Sequence, residues 1–99
     1  MKVRLIDTAE AELVEGAAYL AGKSPAAAAG FIEDIANARS LLLAFPGAGS
    51  VVTEATRRLL LKRYPYQLIQ RIEGDEIVIY AIARLKRRPG YWLDRLPNG

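Results

Sequence analysis

An α+β fold in the order β-α-α-β-β-β is what this sequence predicts. Three observations carry it. A short alternating run opens the chain. Two helical patterns follow, separated at Gly22-Lys23-Ser24-Pro25 and closed at Phe45-Pro46-Gly47. Three β-rich runs fill the remainder, two of them joined by Gly74-Asp75. Helices segregated from a run of strands build a two-layer α+β domain. The expected architecture is an αα-hairpin packed on one face of a mostly antiparallel four-stranded sheet. With 99 residues there is room for one core, so residues 1–99 are expected to form a single domain.

Lys2–Ile6 alternates, with Val3 and Leu5 on one side, and reads as a strand. Asp7 or Thr8 is the expected cap of the first helix, whose early Glu10 and Glu12 complement the helix dipole. Its apolar stripe is Ala9, Leu13, Ala17 and Leu20, and Gly22 and Lys23 end it. A stripe so rich in alanine predicts close packing. Ser24-Pro25 starts the second helix: serine is a favoured N-cap, and proline at the first helical position loses only an N–H that has no partner there. Phe31, Ile35, Ala38, Leu42 and Phe45 make its apolar seam, with Ile32 and Leu41 widening it. Pro46, Gly47 and Gly49 make the following loop.

Arg57–Tyr64 reads as the next strand and Tyr64-Pro65-Tyr66 as a break, because proline cannot donate to a ladder. Tyr66–Glu73, the Gly74-Asp75 turn and Glu76–Arg84 form a hairpin. Ile77, Val78, Ile79, Tyr80 and Ile82 make the last run apolar on both faces, so it belongs in the middle of the sheet. Arg84–Pro89 is a basic loop. Gly90–Leu96 is expected to form a short helical turn, with Tyr91-Trp92 anchoring the C-terminal segment and Trp92 buried.

Composition removes several function classes. A hydrophobic fraction of 52% with 25% charged residues argues against disorder. No run approaches the roughly 20 apolar residues of a membrane span. The N-terminus reaches Asp7 without a signal-peptide apolar region. A cytoplasmic protein without membrane contact is expected. With 0 cysteines and 0 histidines, disulfides, thiolate chemistry and zinc–thiolate sites are excluded. The commonest general base and metal ligand is also missing. No cofactor and no metal are expected.

The net charge of +3 hides an asymmetry. Residues 1–50 hold four basic and six acidic groups, whereas residues 51–99 hold ten basic and five acidic groups. A basic half faces an anionic partner or serves as a solvated face. The sheet face away from the helices, or one end of it, is expected to collect Arg57, Arg58, Lys62, Arg63, Arg71, Arg84 and Lys86–Arg88. Arg84 with Lys86, Arg87 and Arg88 is the densest group. Glu73, Asp75 and Glu76 flank an exposed turn and form no acid–base pair.

Several pieces occur here in a joint order. They are Ala11-Glu12-Leu13 with Tyr19, Ser24-Pro25 with Ala28 and Phe31, Phe45-Pro46-Gly47, and Arg57-Arg58. Tyr64-Pro65-Tyr66, Ile79-Tyr80-Ala81-Ile82-Ala83 and Arg87-Arg88-Pro89-Gly90-Tyr91-Trp92 complete the set. Over nearly its whole length the chain resembles toxins of the ParE/RelE superfamily from type II toxin–antitoxin modules, a group that includes plasmid-stabilisation proteins. The resemblance implies the RelE/ParE-like fold, which matches the one read from the residues. It also implies a cognate antitoxin, ParD-like, whose acidic or amphipathic C-terminal segment wraps the toxin.

The resemblance leaves two targets. ParE-type toxins poison DNA gyrase, whereas RelE-type toxins cleave mRNA on the ribosome without metal. Cleavage needs charge stabilisation and two proton transfers. Lys62, Arg84 and Tyr91 are the residues that an interferase reading would use. Where many relatives carry histidine this chain has Arg84, and arginine does not give up its proton. The missing histidine and sparse lysines favour a ParE-like binder. In that reading Arg57, Arg58, Arg63, Arg84, Lys86, Arg87 and Arg88 contact the target or the antitoxin. A third reading is a non-toxic protein-interaction module.

Overall fold

The computed structural model describes residues 1–97. Its strands are β1 (Lys2–Leu5), β2 (Ser50–Val51), β3 (Arg57–Leu60), β4 (Tyr66–Glu73) and β5 (Glu76–Arg84). Its helices are α1 (Asp7–Ala21) and α2 (Pro25–Ala44), and Leu93–Arg95 forms a 3-10 turn. The two helices lie on a mixed five-stranded sheet of order β1-β5-β4-β3-β2. β1 runs parallel to β5, with Leu5 opposite Ile79, and the other pairings are antiparallel. The α+β expectation therefore holds, and the strand count is corrected from four to five.

The added strand is β2, in the segment read as loop. Two residues are too few to show a period of two. The strand exists because Ser50 and Val51 pair with Arg58 and Arg57. Gly49, at φ +99°, abuts the Arg58 carbonyl, where any side chain would collide. β3 in turn is shorter than the Arg57–Tyr64 reading. The buried Asp34 carboxylate accepts from the Arg63 backbone N–H at 2.9 Å, and Leu61 N–H donates to the Tyr66 carbonyl at 2.9 Å. Residues 61–65 thus turn a corner, packed through Tyr64 edge-on to Phe31. Lys62 sits in that corner, off the strand.

Ser24 caps α2 as expected, its Oγ accepting from Ala27 N–H at 3.0 Å. Phe31, Ile35, Ala38 and Leu42 are buried against the sheet. Phe45 leaves the seam: α2 stops at Ala44, and the extended backbone of Phe45 leaves its side chain 65% exposed. Ile32 and Leu41 are exposed on the flanks and do not widen the core. α1 is capped by Ile6 without any side-chain hydrogen bond, which corrects the Asp7/Thr8 cap. Asp7 lies in the first turn, where its charge still complements the dipole. Close packing comes from Gly16, where a Cβ would meet the Phe31 ring at 3.0 Å.

β5 lies between β1 and β4 and is buried from Ile77 to Ala83, as a strand apolar on both faces requires. Its helix-facing residues include Ile77, Ile79 and Ile82. On the opposite face Ile69 and Ala81 pack against buried Trp92, so the C-terminal segment anchors where expected.

Candidate functional site

β1 stops at Leu5, and its cover of β5 ends with Ile6 N–H on the Ile79 carbonyl at 3.1 Å. Beyond that point the β5 edge needs other partners, since buried backbone polar groups go unpaired at a cost. Glu12 supplies one: its Oε1 accepts from Ile82 N–H at 3.1 Å. Arg95 supplies the other, donating to the Tyr80 carbonyl at 3.0 Å. The two side chains also pair with each other through both carboxylate oxygens, at 2.8 and 3.1 Å. Tyr91 completes the cluster by donating its hydroxyl to Glu12 Oε2 at 2.6 Å.

Burial alone would raise the Glu12 carboxyl, but hydrogen bonds from Arg95, Tyr91 and Ile82 outweigh it and hold the group below its ordinary value. Burial, and then the bond to Glu12, push the Tyr91 hydroxyl well above the usual phenol value. Tyr91 is thus fixed as a donor. Sequence reasoning missed Glu12 and Arg95 as a pair. Glu12 reads locally as a dipole-complementing acid, and its partner lies 83 residues away.

This cluster sets the basic turn that precedes it. The Arg87 guanidinium stacks on the Tyr91 ring at 3.9 Å. Arg84 stacks on Tyr19 of α1 at 4.8 Å. Lys23 first, and Arg84 second, lower the Tyr19 hydroxyl from its usual value. Backbone bonds from Arg87 N–H to the Arg84 carbonyl and from Tyr91 N–H to the Arg88 carbonyl shape the turn.

The expected basic face is only partly assembled. Arg58, Arg87 and Arg88 meet at one groove of about 130 Å³, on the sheet face that Trp92 covers. Arg84 lines a neighbouring groove with Tyr19 and Glu12, and Arg87 borders both. Lys86 is exposed beside them. Arg57 lies apart, donating to the Gly49 carbonyl at 3.2 Å and sharing a groove with Arg71. Arg71 pairs with Glu73 at 2.9 Å. Arg63 is occupied at the corner by the Gly30 carbonyl at 3.2 Å and by Glu33 at 3.5 Å. Lys62 lines a further groove between α2 and β3.

The acids around the 74–75 turn have partners of their own. Tyr80 donates its hydroxyl to Glu73, and Arg4 pairs with Glu76 at 3.1 Å. Burial, then Glu73, push the Tyr80 hydroxyl up to about 12. Among the described residues no group of three or more acids could hold a metal ion, and no helix is long and apolar enough to cross a membrane.

These features define a small α+β protein that presents arginines from a turn braced by aromatic rings and one buried ion pair. The family model described as the ParE toxin of type II toxin–antitoxin system, parDE, matches residues 3–89, and the chain belongs to that family. A similar solved structure is the chromosomal ParDE toxin–antitoxin system from P. aeruginosa. It is 30% identical, covers 85% of this chain and 95% of its own, and superposes with a TM-score of 0.72. A search of the curated proteins gives no match.

Proposed function

We propose that this ParE-family toxin arrests growth by poisoning DNA gyrase in the cytoplasm. A ParD-like antitoxin, with an acidic or amphipathic C-terminal segment, neutralises it. Family membership supports the toxin and an antitoxin partner. One observation favours gyrase poisoning over ribosome-dependent mRNA cleavage. The residues an interferase would use are not gathered at one site: Lys62 lines a groove apart from those of Arg84 and Tyr91, and the Tyr91 hydroxyl is tied to Glu12. Proton transfer needs its donor and acceptor within hydrogen-bond reach of one reacting group. Binding needs only an ordered array of charges. Arg58, Arg84, Lys86, Arg87 and Arg88 form that array, with Arg57 at its margin. Arg63 serves the corner more than the target.

The test is expression of the toxin without antitoxin. Filamentation with an SOS response supports gyrase poisoning. Arrest with cleaved mRNA promotes the interferase reading, and unimpaired growth promotes a non-toxic interaction module.

A further inference from the structure

The groove between β3 and the basic turn sets charge beside exposed apolar side chains. Arg58 lines it from β3, and Arg87 and Arg88 line it from the turn. Val52, just after β2, and Leu85, just after β5, line it too, and they are 42% and 46% exposed. In the sheet order β5-β4-β3-β2 these two residues come from opposite sides. Buried Ile69 and Trp92 supply an apolar floor. Among the described residues the ion pairs are Arg4–Glu76, Arg63–Glu33, Arg71–Glu73 and Arg95–Glu12. None uses Arg58, Arg87 or Arg88. Three guanidiniums thus border an exposed apolar rim without a counter-charge.

That combination selects the occupant. Unpaired cations attract carboxylates, and an exposed apolar rim is best covered by an apolar side chain laid between its two sides. At about 130 Å³ the groove takes one side chain, less than the usual small-molecule pocket holds. A phosphate backbone brings charge but nothing that covers Val52 and Leu85. The matching ligand is a peptide segment with an apolar residue between carboxylates. The helical layer has the opposite charge: α1 and α2 carry one cation, Arg39, against six acids. An acidic segment is repelled there and drawn to the arginine face.

We propose that this groove seats the acidic C-terminal segment of the antitoxin. One apolar side chain of that segment lies between Val52 and Leu85, and its carboxylates meet Arg58, Arg87 and Arg88. The gyrase reading uses the same arginines, so an antitoxin seated here neutralises the toxin by occupying them. A neutraliser acts only while it is bound. Charge speeds the encounter, whereas long residence comes from buried apolar contacts. This groove offers both to one segment. The proposal rests on the antitoxin partner of the proposed function.

The experiment is biolayer interferometry with the purified cognate antitoxin immobilised and toxin variants in solution. Val52→Ser and Leu85→Ser should each raise the dissociation rate about tenfold, as loss of an apolar anchor contact does. Arg58→Gln, Arg87→Gln and Arg88→Gln should each slow association several-fold at about 0.05 M salt, and by less at about 0.5 M. Lys2→Gln, in the β1 strand at the far edge of the sheet, loses the same charge and should leave both rates unchanged. All six side chains are exposed, so each variant should melt with the wild type. Unchanged dissociation rates in both serine variants overturn the proposal. Gyrase inhibition lost in those variants while antitoxin rates hold also overturns it and gives the groove to the target. A 20-bp duplex whose binding needs the three arginines, while antitoxin rates ignore them, overturns it in favour of nucleic acid. A toxin that forms no antitoxin complex overturns the partner reading and this proposal together, whereas a complex with unchanged rates overturns this proposal alone.

Discussion

Glu12 is the residue on which the C-terminal segment depends. One carboxylate accepts from Ile82 N–H, from the Tyr91 hydroxyl and from both terminal nitrogens of Arg95. Glu12→Gln should lower stability by about 1–3 kcal/mol, because it leaves a partly buried guanidinium without its counter-charge. Tyr91→Phe removes one hydrogen bond to a charged group and should cost about 1–3 kcal/mol. Its effect on toxicity should be graded and follow stability. Both are read by thermal or urea melts. Glu12 also sets a pH dependence. Its carboxyl lies below the ordinary value when folded, so its stabilisation is full above the ordinary carboxylate range. That stabilisation is lost as pH falls through the lowered folded value. A melting-temperature series from pH 7 to about 3 should fall less steeply in Glu12→Gln than in the wild type.

At the scale of elements, the second helix tests how far a periodic pattern reaches. Phe31, Ile35, Ala38, Leu42 and Phe45 repeat at helical spacing, yet only the first four are buried. Leu42→Ala should cost about 2–5 kcal/mol through the cavity it leaves. Phe45→Ala should cost under about 0.5 kcal/mol, as for most exposed positions. Equal losses would mean that α2 continues into the core past Ala44. The elements with strong local signals were legible in the sequence. Ser24-Pro25 caps through its own Oγ, Gly74-Asp75 turns one hairpin, and the apolar β5 is central. What stayed hidden depends on distant partners. β2 is made by Arg57 and Arg58 across a loop, and β3 ends early because Asp34 of α2 holds the Arg63 backbone. The candidate site follows the same division. The basic turn is visible as four cations within Arg84–Arg88. That Arg58 joins it, while Arg57, Arg63 and Lys62 do not, is decided by sheet register and by the corner at residues 61–65.

For the whole molecule, the two layers divide the labour. The sheet face carrying Arg58, Arg87 and Arg88 sets charge beside exposed Val52 and Leu85, and the helices offer exposed apolar side chains with few cations. An antitoxin that covers part of the basic half should associate more slowly when salt rises from about 0.05 to 0.5 M, while dissociation follows the apolar anchors. Salt-independent association in stopped-flow mixing would place the antitoxin on the helical layer alone. The most direct measurement is supercoiling by purified gyrase with added toxin, run beside ribosome-dependent mRNA cleavage. The account predicts inhibited supercoiling with trapped DNA breaks, weakened stepwise by Arg87→Ala and Arg88→Ala, and no cleaved mRNA. Ribosome-dependent cleavage that vanishes in Lys62→Ala or Tyr91→Phe, with supercoiling untouched, would contradict it.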